Sequence, residues 1–208
     1  MAAPTQAEID RLGAAPLTAG KLLIDGKWQA GEAGETVVLS PINGQPLTTT
    51  AAASAADVAR AVASARAAFE SGVWSRMPPA GRKAVLHRLA DLIDKNSLEL
   101  AVLGVRDNGT DIGMALKAEP GSAAGTFRYY AKAIDKVYGE IAPTADTILA
   151  LIHREPVGVV AAIVPWNFPL MIGSWKIAPA LAAGNSIVLK PAETASLTLL
   201  KLAELALE

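Results

Sequence analysis

Cysteine is absent from the 208 residues, which excludes disulfides, thiolate metal sites and thiol catalysis by the chain's own atoms. Excess charge of one sign is missing too. Nineteen basic against twenty acidic residues leave a net charge of −1 with no run of like charges, so the chain carries no electrostatic footprint for nucleic acid or an anionic membrane. Histidine is scarce: His87 and His153 stand far apart, with no nearby carboxylate or second histidine at ligand spacing, which argues against a metal site. The longest apolar run, Val157 to Pro165, is far too short to span a bilayer as a helix, so no transmembrane segment is expected. The N-terminus has no basic stretch followed by an apolar one, so it does not read as a secretory signal, and a cytoplasmic location is the default expectation. With 51% hydrophobic residues the chain can bury one large core or two small ones, and the expected partner is a small molecule or another protein.

The first elements read as extended. Lys21 to Trp28 holds two short strands about an Asp25-Gly26 turn, and Thr36 to Leu39 followed by Ser40 to Gly44 repeats strand then turn, which predicts a small β-meander after a loose tail. From Ser54 the period becomes helical. Val58, Val62, Ala65 and Phe69 share one face, expected to be core, behind a Ser54/Asp57 capping box. A second helix is predicted over Ala80 to Val105, with Val85, Leu86, Leu89, Leu92 and Ile93 inward and Asn108-Gly109 as its stop. A third is predicted over Ser122 to Tyr138, where Phe127, Tyr130, Ala131, Ile134 and Val137 form a stripe ended by Gly139.

Beyond Pro143 come two apolar runs, Thr147 to His153 and Val157 to Val164, the second continuous, as in a strand covered on both faces. A loop, a helix to Gly184, a strand over Ser186 to Leu189 and a helix from about Ser196 come next. Strand, helix, strand, helix opens a parallel α/β sheet. Such sheets usually carry several strands, and the helical pattern at Glu208 has no C-cap signal, so truncation is expected.

Two spots can carry chemistry. The stiff loop Pro165-Trp166-Asn167-Phe168-Pro169 follows a buried strand, where parallel sheets bind ligands, and the Asn167 amide can donate to an oxygen that becomes negative in a transition state. An asparagine in such a turn also caps backbone groups. Lys190-Pro191-Ala192-Glu193 ends the next strand, where a carboxylate can accept both hydroxyls of a ribose and repel a 2′-phosphate. A solvated surface pair is the other reading.

Taken together, Arg154 to Leu170, Trp175-Lys176, Pro179 to Asn185 and Val188 to Glu193 strongly resemble the aldehyde dehydrogenase superfamily, and the resemblance runs from Leu22 to the end. Ala131 to Glu140 and Val159 to Ile163 look especially like the bacterial γ-glutamyl-γ-aminobutyraldehyde dehydrogenases. The resemblance implies an α/β fold, the N-terminal part of an aldehyde dehydrogenase: an N-terminal tail over 1–20, hairpins and helices over 21–142, a strand of a bridging, oligomerising hairpin over 143–156, and the first strands and helices of an incomplete Rossmann-like NAD-binding sheet over 157–208, without the catalytic domain.

The resemblance also implies roles. Asn167 matches the oxyanion-hole amide, and Lys176 matches a lysine near the reaction centre, though it also reads as a helix-surface lysine. Lys190 and Glu193 match adenosine-ribose ligands, and Ile163, Val164, Pro165 and Trp166 line the cofactor. Phe168, Ile172 and Trp175 wall the aldehyde tunnel, and Asp107 matches a carboxylate of a monovalent-cation site. NAD is the implied cofactor in preference to NADP, an aldehyde the substrate, and a homo-oligomer the parent assembly. The family's chemistry needs a cysteine thiolate and a glutamate-activated water. Neither the cysteine motif, the Glu-Leu-Gly-Gly-Lys segment nor the Gly-x-Thr-x-x-Gly turn is present, so the 208 residues alone are expected to be inactive. Two other readings are a non-catalytic module that docks on partners through its helices and strand edges, and an acyl-phosphate reductase on the same fold, against which the Pro165–Pro169 loop argues.

Overall fold

A computed structural model describes residues 3–208, so the first two residues of the expected tail lie outside the described residues. The segment after Pro4 is helical rather than loose. Thr5 and Glu8 close a reciprocal capping box, the Thr5 N–H donating to the Glu8 carboxylate at 2.8 Å, and helix α1 (Gln6–Ala14) forms behind it. Arg106 fixes the far end of α1 by donating to the Leu12 and Ala15 carbonyls at 3.4 and 2.7 Å.

The Asp25-Gly26 turn is present, with φ of 54° and 68° at its two residues, as the tight turn between β1 (Leu22–Ile24) and β2 (Lys27–Gln29) requires. Strands β3 (Glu35–Leu39) and β4 (Pro46–Ala51) form a second antiparallel pair. The two hairpins are separate sheets rather than one meander, and a single bridge from Gly20 to Thr50 ties the chain before β1 to β4.

Helix α2 (Ala55–Ser71) starts on the Ser54/Asp57 capping box and ends at Gly72, whose φ of 79° the left-handed cap demands. Its apolar stripe is not core, however: Val58 and Val62 are 49% and 44% exposed. The buried group is Asp57, which accepts the N–H of Ser54 and that of Glu32, both at 2.8 Å, and pairs with Arg60.

The long second helix is two, α3 (Pro79–Lys95) and α4 (Ser97–Asn108). The break is Asn96, whose side-chain amide donates to the Leu92 carbonyl at 2.8 Å and so draws its backbone out of helical geometry. Leu86, Leu89 and Ile93 point inward as expected, while Val85 is exposed. The third helix begins well ahead of Ser122: Asp111 accepts the Gly113 and Met114 N–H groups, and α5 (Ile112–Ala133) runs through Pro120 into a 3-10 turn over Ile134–Lys136. Phe127 and Ala131 of the predicted stripe are fully buried, and Val137 lies beyond the helix, exposed.

Strands β5 (Glu140–Ala142) and β6 (Ala150–Ile152) make an antiparallel hairpin with Ile141 and Leu151 bare. Then β7 (Val159–Ile163), α6 (Pro169–Ala182), β8 (Ser186–Lys190) and α7 (Leu197–Leu205) come in the predicted order, and β7 pairs with β8 in parallel. Helix α7 closes at Leu205 instead of running on to Glu208. Cover on both faces of β7 is incomplete within this chain, since Ala162 is buried but Ile163 is 77% exposed. Helices α2 and α6 both pack against this two-stranded sheet, and α5 lies along α3, α4 and α6. Alanines 123, 124 and 131 let those helices approach closely around Phe127, Leu86, Ile93, Leu170 and Leu199, a continuous core beneath the sheet.

Candidate functional site

The parallel register of β7 and β8 determines where the candidate residues go. Ile163 and Lys190 are Cα partners, and the Val164 N–H donates to the Lys190 carbonyl at 3.0 Å, so both strands end together. The loops beyond them, 165–168 and 191–196, therefore leave the sheet side by side, in the position where open α/β sheets bind ligands.

In the first loop Val164 is buried, while Pro165, Trp166 and Asn167 are exposed. Phe168 has φ 51° and ψ 53°, left-handed backbone that a bulky side chain adopts only under constraint, and it forms the N-cap of α6. Along α6, Phe168, Ile172, Trp175 and Lys176 recur at helical spacing and share a face. Trp175 and Lys176 line a shallow groove of about 540 Å³ with Pro179, Ala180 and the β7 residues Val160 to Ile163. The structure thus brings a predicted tunnel tryptophan, the lysine and the predicted cofactor-lining backbone of Ile163 into one groove.

In the second loop Lys190 Nζ lies 2.5 Å from Glu193 Oε1, both side chains mostly exposed. The lysine's hydrogen bond holds the Glu193 carboxyl below its usual value, so it is an anion at neutral pH. Exposed carboxylate and ammonium at a strand end can share the hydroxyls of a sugar.

Asp107 is elsewhere. It is buried at the end of α4, where Oδ2 accepts the Leu197 N–H at 2.7 Å at the start of α7 and Oδ1 has no partner. Burial, with the charge of nearby Glu119 adding to it, pushes this carboxyl up to about 7 against the hydrogen bonds it accepts. Among the described residues no group of three or more His, Cys, Asp or Glu side chains could hold a metal ion. His153 does meet a carboxylate, Glu155 Oε1 at 3.3 Å, on the surface, contrary to the expectation that neither histidine has one nearby.

Glu119, buried on α5, carries no signal in the sequence. It accepts the Met171 N–H at 3.0 Å in the first turn of α6. A capping acceptor contributed by another helix leaves no local pattern to read.

A thiol nucleophile is not available from these residues, so the two loops offer binding and electrostatic groups only. Residues 28–208 match the model of the aldehyde dehydrogenase family. The chain belongs to that family. Among curated members it is similar to the NADP/NAD-dependent aldehyde dehydrogenase PuuC of Escherichia coli, 49% identical over 90% of this chain and 38% of that protein. The aminoacetaldehyde dehydrogenase of Pseudomonas aeruginosa is 46% identical over 89% of this chain and 38% of its own length. An indole-3-acetaldehyde dehydrogenase solved with NAD+ superposes with a TM-score of 0.94 at 45% identity, covering 98% of this chain and 41% of that one. The γ-glutamyl-γ-aminobutyraldehyde dehydrogenase of Burkholderia cenocepacia gives 0.93 at 45% identity, over 96% and 41%. The chain therefore corresponds to the N-terminal portion of aldehyde dehydrogenases and spans about two-fifths of the relatives' length. No helix among the described residues is long and apolar enough to cross a membrane.

Proposed function

We propose that these residues supply the cofactor-binding and oxyanion-stabilising half of an NAD-dependent aldehyde dehydrogenase, converting aldehyde, NAD and water to carboxylate and NADH. The observation that carries the reading is the side-by-side exit of the 165–168 and 191–196 loops from two strands in register, one bearing Asn167 and the other Lys190 and Glu193. NAD, when bound, accepts the hydride. Lys190 and Glu193 hold the adenosine ribose, the backbone at Ile163, Val164, Pro165 and Trp166 lines the cofactor, and the anionic Glu193 repels a 2′-phosphate. Asn167 donates its amide N–H to the aldehyde oxygen as negative charge develops there. Phe168, Ile172 and Trp175 wall the aldehyde's approach, and Lys176 stands at the same groove. Asp107 offers its partnerless Oδ1, a buried carboxylate oxygen, to a monovalent cation. The thiolate and general base lie in polypeptide other than these 208 residues, so the chain alone turns over no aldehyde.

Residues 157–208 read as the opening of the NAD-binding sheet, 21–142 as the hairpins and helices beside it after the 1–20 segment, and 143–156 as part of the bridging hairpin of a cytoplasmic homo-oligomer. The bare β5–β6 hairpin also favours a second reading, an assembly module without catalysis.

The test is a fusion of this chain to the segment of the Escherichia coli relative that continues past the matched region. NADH formation should require the fusion, and Asn167→Ala should lower kcat by roughly a hundred- to thousandfold with little change in NAD affinity. Glu193→Gln should narrow the preference for NAD over NADP. Turnover by the cysteine-free chain, or an Asn167→Ala fusion with normal kcat, would overturn this reading.

A further inference from the structure

Helix α6 begins without a cap of its own, because Phe168 at the N-cap has no side-chain acceptor. One of its first free N–H groups, that of Met171, is satisfied from another helix. Glu119 of α5, only 3% exposed, accepts the Met171 N–H at 3.0 Å through Oε2. Its other oxygen receives the Asn108 side-chain amide at 3.4 Å. Asn108 is held in turn by Thr110, whose N–H and hydroxyl donate to Asn108 Oδ1 at 2.9 and 2.6 Å. Burying a carboxylate is costly unless it is bonded, and both oxygens here are engaged. The groups they engage are the α4–α5 elbow on one side and the first turn of α6 on the other.

The α6 first turn is where the strained loop ends. Phe168 keeps its left-handed backbone only if the residues on either side are fixed: Val164 is pinned by its bond to Lys190, and Met171 by Glu119. Asn167 lies between these two anchors. We infer that Glu119 is a positioning residue: by capping α6 from α5 it fixes the Phe168 backbone and hence the direction in which Asn167 presents its amide. Its consequence for catalysis rests on the oxyanion role proposed for Asn167. The mechanical part does not.

Residue-resolved amide exchange in the 208-residue chain tests it, with Glu119→Ala, Glu119→Gln and Glu119→Asp. Glu119→Ala frees the Met171 N–H group, and the amides of Trp166, Asn167, Phe168, Leu170 and Met171 should exchange roughly ten- to a hundredfold faster, while those of β7 and β8 stay within about twofold. Glu119→Gln keeps one acceptor oxygen and should restore most of the protection. Glu119→Asp, a methylene shorter, should not. If Glu119→Ala does not fold, the contrast between Gln and Asp carries the test. Loop exchange unchanged in Asp and Ala, or acceleration spread evenly over the whole core, overturns the proposal. In the fusion enzyme Glu119→Ala should lower kcat with KM for NAD nearly unchanged. A loosened loop with normal kcat would leave the positioning intact and refute the role of Asn167 instead.

Discussion

Replacing Asn185 by alanine should cost the chain about 2–3 kcal/mol, and the structure says which group bears the loss. Asn185 is 5% exposed and stands between α6 and β8. Its Oδ1 accepts the Gly158 N–H at 2.9 Å, its Nδ2 donates to the Ala180 carbonyl at 3.2 Å, and its backbone N–H reaches that same carbonyl at 3.0 Å. Alanine leaves Ala180 with the backbone donor, so that half of the loss is small. Gly158 is different: it is buried at the head of β7 with φ 116°, and its N–H would be left without a partner. An orphaned buried donor costs about 1–3 kcal/mol, and the space vacated by the amide adds to it. For a chain of this size each kcal/mol lowers the thermal midpoint by roughly 2–4 °C.

Urea unfolding followed by far-UV dichroism measures the difference, with an unchanged m-value as the sign that only the native state was altered. Asn185→Asp sharpens the test. It keeps the acceptor for Gly158 but sets a carboxylate oxygen against the Ala180 carbonyl, so its folded-state pKa should rise. Its deficit should be large at pH 7 and shrink as the pH falls and the protonated acid regains a donor. Asn185→Ala within about 0.5 kcal/mol of the parent would refute the reasoning.

Asp57 should contribute to the acid limb. The Ser54 N–H first, then the Glu32 N–H, hold its carboxyl below the ordinary 3.8, so the stability it contributes is present above that value and lost as the pH falls through the lowered folded-state value. Asp57→Asn should lower the thermal midpoint at pH 7 and flatten its fall as the solution is acidified below the ordinary carboxylate range; an unchanged acid limb would count against the assignment. Phe127→Ala, at a fully buried position among α3, α5 and α6, should cost about 3–5 kcal/mol by urea titration, and a loss under about 1 kcal/mol would mean the core closes over the site. Two helical glycines should respond with opposite signs. A Cβ on Gly173 would meet Leu199 Cδ2 at 2.5 Å in a packed core and should cost about 1–3 kcal/mol, whereas one on Gly125 meets nothing within 4 Å and should stabilise by about 0.5–1 kcal/mol. Equal effects at the two positions would show that packing between α6 and α7 is looser than the structure has it.

The features legible in the sequence are mostly local. The Asp25-Gly26 turn, the Ser54/Asp57 box and the alternation of strand and helix from Val157 onward are each written within a few residues, and each is found in place. The Thr5/Glu8 box is equally local, and it makes a helix where a loose tail is expected from composition. The third helix is expected only from Ser122, yet α5 starts at Ile112 and runs through Pro120, because it is held by its contacts with α3, α4 and α6 rather than by propensity. Asn96 breaks a hydrophobic period that continues on both sides, so periodicity does not see it. Val58 and Val62 show the converse limit: a period says that a face is apolar, not that anything in the chain covers it. Asn167, Lys190 and Glu193 can be picked out because loops after parallel strands have a characteristic place. Glu119 cannot, since its partner lies 52 residues away.

Contacts of that span tie the α4–α5 elbow to both candidate loops. Asp107, at the end of α4, accepts the first N–H of α7, and Glu119, on α5, accepts an N–H in the first turn of α6. Each of those helices follows one of the two candidate loops. A loop tethered only by its own strand would be free to tilt at its far end, and two such loops would tilt independently. Here both far ends are bonded to side chains that project from one packed helical corner, where Asn108 follows Asp107 in the chain and bonds to Glu119, so the loops are set relative to each other as well as to the sheet. Burial raises the proton affinity of both carboxylates, and that cost falls where the geometry of Asn167 and of the Lys190–Glu193 pair is decided. The N-terminal helices, which carry none of the candidate site residues in the two loops, thereby help to define the site.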